Sequence, residues 1–141
     1  MKIFETGELI GKTSRLLTNS LSKQLLNSNA GITSEQWILL QILVKGAKNQ
    51  KELGEITSKS KGTINSLISY LLKSKLILKT VSSTDKRNTE ISISKKGLLL
   101  IEESNLSALK SIKQATEGFS DNEIQELNNY LIRIQINLIK Q

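Results

Sequence analysis

Two short polar runs hold the side chains best suited to chemistry. Ser60-Lys61-Gly62-Thr63, continued by Asn65 and Ser66, offers hydroxyls, an amide and an ammonium group. Asp85-Lys86-Arg87 offers a carboxylate, an ammonium and a guanidinium side by side. Groups of these kinds form hydrogen bonds with base edges and ion pairs with phosphates. Bond-breaking chemistry finds little to work with. The chain has no His and no Cys, which removes imidazole catalysis, thiolate attack and the usual zinc ligands. It has no phosphate-cradling glycine motif, and Glu102-Glu103 lies in helical sequence, where a solvated face is the simpler reading. Neither an enzyme nor a cofactor is expected.

Charge places both runs in one territory. Residues 45–96 contain twelve Lys/Arg against four Asp/Glu (Glu52, Glu55, Asp85, Glu90), a net of +8. The rest of the chain holds eight basic and nine acidic residues, a net of −1, so the overall +7 comes from this internal segment. A basic surface of that kind points to nucleic acid, the densest anionic array a small protein commonly meets. A merely solvated lysine-rich face is the plain alternative.

The elements that would position these residues follow from apolar spacing and capping. Residues 8–28 carry Leu9, Ile10, Leu16, Leu17, Leu21, Leu25 and Leu26 at mostly helical spacing, with Gly7 and Gly11 weakening the front. Thr33-Ser-Glu-Gln36 fits a capping box and opens a helix carrying Trp37, Leu40, Leu43 and Val44, with Trp37, Leu40 and Leu43 read as core. Asn49-Gln-Lys-Glu52 is a second box, opening a short helix with Leu53 and Ile56 inward. Ser60 is a good N-cap for a third helix, whose apolar face is Ile64, Leu67, Ile68, Leu71 and Leu72. Its other face shows Lys61, Thr63, Asn65, Ser66, Ser69 and Tyr70. Strand-like runs at 76–81 and 90–94 flank a wholly polar stretch, 82–88, which predicts a hairpin with a long exposed tip.

Ser94 caps a long helix running to about Glu117, with Leu98, Ile101, Leu106, Leu109 and Ile112 as its apolar positions. Ser120-Asp-Asn-Glu123 is a further capping box for the last helix, which carries two stripes. Ile124, Leu127, Leu131, Ile134 and Leu138 can pack on their own subunit; Ile132, Ile136 and Ile139 need another partner, most simply a second copy. Phe4, Tyr70, Phe119 and Tyr130 are expected to pack. The N-terminal residues do not read as a signal peptide and no stretch is apolar enough to span a membrane, so a soluble cytoplasmic protein is expected.

Helix, short turn, helix and hairpin in that order make a winged helix-turn-helix. Such a module lays its second helix in the major groove and reaches an adjacent minor groove with its wing. The expected fold class is mainly α with a small β-hairpin, a winged helix-turn-helix with N- and C-terminal dimerisation helices. The division is 1–30 for the first dimerisation helix, 31–97 for the DNA-binding module and 98–141 for the C-terminal dimerisation helices, all in one integrated domain.

From residue 30 to about 100 the chain resembles the MarR family of bacterial transcription regulators. The resemblance rests on Gly31-Ile-Thr-x-x-Gln-Trp37-x-x-Leu40, Gln50-Lys-Glu-Leu53, Thr63-Ile-x-x-Leu-Ile-x-x-Leu71, the wing run Asp85-Lys-Arg87, and Ile91-x-Ile93-Ser-x-Lys-Gly97. Their order and spacing together carry it, not any single motif. It implies a homodimer with intertwined first and last helices, a repressor acting on double-stranded pseudo-palindromic DNA, and release of DNA by a small aromatic or anionic ligand. Carried over by position, residues 60–66 become the base-reading turn, Arg87 the minor-groove contact and Asp85 its orienting carboxylate. Two positions depart from the family pattern. Ser66 stands where Arg is frequent, which predicts weaker or more A·T-tolerant readout. Lys75 stands where Gly is usual, at a cost of about 1 kcal/mol if the site needs positive φ.

The individual residues have competing readings. Lys61 in a first helical turn opposes the helix dipole unless an anion lies nearby, which favours a phosphate partner. Lys59 and Lys86 are expected to neutralise phosphate with it, as is Lys75. Gly62 is either tolerated drift or a point of close approach to phosphate or base. Thr63 and Asn65 stand at reading positions, and Asn can pair with adenine, yet surface Asn is also common. Asp85 either pairs with Arg87 or simply forms a turn. The alternative function is a helical interaction protein whose basic winged module binds an acidic protein partner. A membrane-surface role has little support, since the last helix lacks a Lys-rich polar face.

Overall fold

Five of the six helices start where a side-chain oxygen accepts from the backbone N–H three residues on: Thr33, Asn49, Ser60, Ser94 and Ser120. At Thr33, Asn49 and Ser120 the third residue also returns its side chain to the cap, so all three expected boxes close in both directions. The computed structural model describes residues 1–28, 31–81, 85 and 89–140. The helices are α1 (Lys2–Asn27), α2 (Ser34–Val44), α3 (Gln50–Thr57), α4 (Lys61–Lys73), α5 (Lys95–Ala115) and α6 (Asp121–Ile139). The strands are β1 (Lys48–Asn49), β2 (Ile77–Val81) and β3 (Thr89–Ile93). Helix α1 starts six residues earlier than its apolar spacing suggested, carrying Gly7 and Gly11 within it.

The hairpin β2–β3 pairs antiparallel, with Ile77 opposite Ile93 and Val81 opposite Thr89. A third strand was not foreseen. β1 pairs antiparallel with the other edge of β3, Lys48 facing Ile91 and Asn49 facing Glu90, so the order is β1-β3-β2. Two residues cannot show an alternating pattern. The N-cap Asn49 is extended for its capping role (φ −84°, ψ 168°), and that conformation also suits an edge pairing.

One core lies where α2, α3 and α4 meet the base of the sheet and the start of α5. Leu39, Leu40, Leu53, Ile64, Leu71, Ile77 and Ile91 are all buried there. A smaller cluster, Leu21, Leu25 and Ala108, joins α1 to α5, and Trp37 packs against both clusters. The indole of Trp37 is half-buried, and its Nε1 donates to Ser104 Oγ at 3.1 Å.

Helix α5 buries a different face from the expected one. Of Leu98, Ile101, Leu106, Leu109 and Ile112, only Ile101 is buried. The inward face runs Ile101, Ser104, Ala108 and Ser111, a 3-4-3 spacing of mostly small residues. Small side chains let α1 approach closely, and their hydroxyls are satisfied there: Ser20 Oγ donates to Ser111 Oγ at 3.1 Å. Helix α6 has no fully buried residue; of its first stripe only Ile124 and Ile134 are partly covered, and Ile132, Ile136 and Ile139 are exposed. Phe4, Tyr70, Phe119 and Tyr130 are likewise exposed rather than packed; Arg133 lies 5.8 Å from the centroid of the Tyr130 ring. Phe4, Phe119 and Tyr130 sit on or beside α1 and α6, helices that leave most of their apolar side chains exposed. Among the described residues, no helix is long and apolar enough to cross a membrane.

Candidate nucleic-acid interface

Helix α4 is held by one face and shows the other. Ile64, Leu67, Ile68 and Leu71 are buried, while Lys61, Gly62, Thr63, Asn65, Ser66, Ser69 and Tyr70 are exposed. The apolar spacing thus fixes the rotation of the helix about its axis and determines which side chains a ligand can meet. Leu53 of α3 and Leu40 of α2 complete the support beneath it.

Hydrogen bonds already made decide what each exposed group has left to give. Ser60 Oγ accepts from the Thr63 backbone N–H at 3.2 Å and donates to Thr63 Oγ1 at 2.9 Å, so this hydroxyl is largely committed to capping. Thr63 Oγ1 accepts that bond and keeps its own O–H for an outside acceptor. Ser66 Oγ donates to the Gly62 carbonyl at 3.1 Å, leaving only acceptor capacity. A Cβ at Gly62 would meet nothing within 4 Å, so the fold does not require glycine there.

The lysines divide into committed and uncommitted groups. Lys59 Nζ lies 3.3 Å from Glu35 Oε1 of α2, the sole ion pair among the described residues. A lysine expected to neutralise phosphate therefore spends part of its charge on a neighbouring helix. Lys96 Nζ donates to the Ser74 carbonyl at 3.0 Å, placing a cation at the C-terminal end of α4, where the helix dipole favours it. Lys61 and Lys75 are exposed and form no ion pair among the described residues. Asp85 is exposed between β2 and β3. Lys86 and Arg87 lie outside the described residues, and with them the expected Asp85–Arg87 pairing and the wing-tip contact.

The wing is tied to the end of α4 through Ser94. The Ser94 hydroxyl donates to the Lys75 carbonyl at 2.7 Å and accepts from the Gly97 N–H at 3.0 Å, while the Ser94 N–H donates to the Leu76 carbonyl at 3.0 Å. Gly97 has no room for a side chain, since a Cβ there would sit 2.3 Å from the Leu76 carbonyl oxygen. The direction of the hairpin relative to α4 is thereby fixed by a single residue and its neighbour.

One side chain at this surface escaped sequence reasoning. Gln50, the first residue of α3, donates from its amide nitrogen to Asn65 Oδ1 on α4. In the sequence it is the second residue of a capping box and the first of the run Gln50-Lys-Glu-Leu53, with no contact to Asn65 implied. The signal that could have found it is its position at the start of α3, the helix preceding α4. With Lys51, Gly54, Glu55, Lys61 and Ile64 it lines an open cleft of about 570 Å³ between α3 and α4. A second cleft, about 240 Å³, lies along α2 between Trp37, Ile38, Gln41, Ile42 and Lys45.

A MarR family model matches residues 30–88. No curated protein matches the sequence. Among solved structures, the chain is similar to AbsC, a MarR family transcriptional regulator from Streptomyces coelicolor, with a TM-score of 0.85 at 20% identity over 96% of this chain and 93% of that one. It is similar to a mutant MarR from E. coli complexed with operator DNA, with a TM-score of 0.84 at 18% identity over 94% and 95% of the two chains. It is also similar to CouR from Rhodococcus jostii RHA1 bound to p-coumaroyl-CoA, with a TM-score of 0.82 at 19% identity over 92% and 90%. At these identities the likeness is one of fold, and it extends through α1, α5 and α6 as well as the winged module.

Proposed function

We propose that the chain, whose residues 30–88 match a MarR family model, is a member of that family: a homodimeric, sequence-specific DNA-binding transcription regulator of the repressor type, located in the cytoplasm and without enzymatic activity. The observation that carries this reading is α4: a helix rigidly seated by four buried side chains, with a polar face turned outward inside the most basic segment of the chain. The same fold is found in an E. coli MarR mutant complexed with operator DNA.

In this reading, residues 31–97 form the DNA-binding module, while 1–30 and 98–141 form a dimer arm. The arm reading is supported by its exposed apolar side chains. Leu16 is 59% exposed, Leu106 74%, Ile132 50% and Leu138 61%, an arrangement suited to burial against a second copy. Two α4 helices would then face half-sites about one helical turn, ~34 Å, apart. Thr63, Asn65 and Ser66 meet base edges, Lys61 and Lys75 meet phosphates, and Lys59 joins them if DNA draws it from Glu35. The wing residues Asp85, Lys86 and Arg87 serve an adjacent minor groove.

The α2 cleft is the candidate effector site. Its apolar wall and the Lys45 ammonium at its edge suit a small aromatic acid, and CouR, of the same fold, is bound to p-coumaroyl-CoA. Trp37 in that wall also touches both cores, so a ligand there would press on the joint between arm and module.

The test is a footprint on the DNA upstream of the chain's own gene, with and without candidate aromatic acids. Two protected half-sites one turn apart, lost steeply with salt, are expected. No protection at low salt would remove autoregulation. On a protected site, Arg87→Ala is expected to weaken binding by roughly 1–3 kcal/mol in anisotropy titrations. Unchanged titrations would take Arg87 out of the interface.

A further inference from the structure

Gln50 and Asn65 come from different helices of the module, and their amides are joined by a hydrogen bond on the exposed side of α4. The bond from Gln50 Nε2 to Asn65 Oδ1 is the one side-chain hydrogen bond joining α3 to α4 among the described residues. Asn65 is exposed and Gln50 half-buried, and Gln50 shares the lining of the α3–α4 cleft with Lys61. Neither residue is needed by the core: Leu53 and Ile64 already join the two helices from within.

Resting on the DNA-binding reading, we propose that Gln50 and Asn65 act as one unit that specifies an A·T base pair in each half-site, with Gln50 as a specificity-determining residue. An amide carries one acceptor oxygen and two N–H donors. After bonding Asn65, Gln50 retains Oε1 and its second N–H side by side. That pair complements the N6 donor and N7 acceptor on the major-groove edge of adenine. Asn65 retains both N–H donors for an acceptor next to it, such as thymine O4 on the paired strand. Adenine and thymine together thus satisfy both groups Gln50 leaves open and one of the two Asn65 N–H donors. Guanine presents O6 where adenine presents N6, so Gln50 Oε1 would face another acceptor there and lose a hydrogen bond.

The bond also lowers the cost of reading. Two free amide side chains would each lose rotamer freedom on docking, whereas a pair already tied together has lost part of it beforehand. A helix at the position of α3 ordinarily crosses the DNA backbone. A neutral amide gains less from phosphate than a lysine does, and Lys51 follows immediately in sequence. Gln50 is therefore suited to reaching past the backbone toward a base, with Asn65 holding it there.

The experiment is selection from a randomised duplex pool with the full-length protein, Gln50→Ala, Asn65→Ala and the double variant, each checked for an unchanged thermal melt. The wild type is expected to select a pseudo-palindrome with a fixed A·T pair in each half. Both single variants are expected to lose preference at that same position alone and to bind the wild-type site about tenfold more weakly. The double variant should be no worse than the weaker single, because either deletion breaks the unit. If both variants select the wild-type site with the same preference at every position, or relax at two different positions, the pair is not a reading unit. If the wild type selects no defined site, the DNA-binding reading fails and the proposal falls with it, an outcome distinct from the other two.

Discussion

The winged module and the helices flanking it use the same leucines and isoleucines to opposite ends. In the module, Leu53, Ile64 and Leu71 are wholly buried, each covered by another element of the same chain. On α6, Leu131 is 40% exposed, Ile136 47% and Ile139 79%, and no side chain of the helix is buried. Helix α1 is similar, burying only Leu21 and Leu25 along 26 residues. Both regions carry helical apolar stripes, so periodicity alone does not distinguish a self-contained core from a surface awaiting a partner. What distinguishes them is whether the chain supplies an opposing stripe within reach. The module has three helices and a sheet around one centre. The arm has α1 laid on α5 through small residues and α6 projecting alone.

Breaking the arm should have the largest effect. Leu131→Glu combined with Ile136→Glu puts two charges into the stripes proposed to meet a second copy. Light scattering should then report a monomer. Affinity for a two-half-site operator should fall by about 10²–10⁴, the contribution of tethering the second module to the first. A single half-site should be bound nearly as before. A variant that remains dimeric would show that these stripes are covered in some other way, and the contrast between the regions would need redrawing.

A smaller effect is expected where the two regions join. Gly97 lies in the first turn of α5, under the wing. An alanine Cβ there would stand 2.3 Å from the Leu76 carbonyl oxygen and 2.7 Å from Ile93 Cγ1. Backbone has to move to admit it, which for an overpacked buried site costs about 3 kcal/mol. Gly97→Ala should lower Tm by roughly 10 °C in a calorimetric scan. A melt within a degree or two of wild type would mean that the Ser94–Gly97 corner yields easily and does not fix the wing.

How much of this was legible in the sequence follows from the range of each interaction. The caps at Thr33, Asn49, Ser60, Ser94 and Ser120 were legible because cap and partner are three residues apart. The buried and exposed faces of α4 were legible because one stripe was apolar and the other wholly polar. The buried face of α5 was not. Ser104, Ala108 and Ser111 look like surface residues until α1 is placed against them, and the leucines that drew attention point outward. Strand β1 was hidden by its length. At the interface, residue types and their outward placement on α4 could be read, but the commitments of Lys59 to Glu35 and Gln50 to Asn65 could not, because they join side chains 24 and 15 residues apart. The exposure of the second stripe of α6 was legible from its spacing, while that of the first was not, since the first stripe was expected to pack on its own subunit.

The mildest change concerns a residue where folding and binding pull in different directions. Lys75 has φ 61°, the left-handed conformation that glycine adopts without strain. The turn after α4 demands it. The Lys75 N–H donates to the Leu72 carbonyl at 3.0 Å and the Leu76 N–H to the Leu71 carbonyl at 2.9 Å, which is the Schellman closure, with Leu71 and Leu76 in the same core. A side chain at that position costs about 1 kcal/mol. Lys75→Gly should therefore recover close to that amount, less what the freer unfolded chain takes back, and raise Tm by about 2–4 °C. If the ammonium meets a phosphate in each half-site of the complex, the same variant should bind DNA more weakly, and the slope of log K against log salt should become shallower by about 1.8 for the dimer. Stability up with affinity down would mean that the strain is retained because the charge serves the interface. Stability up with an unchanged salt slope would leave Lys75 outside the interface and shift the burden of phosphate contact to Lys61 and the wing.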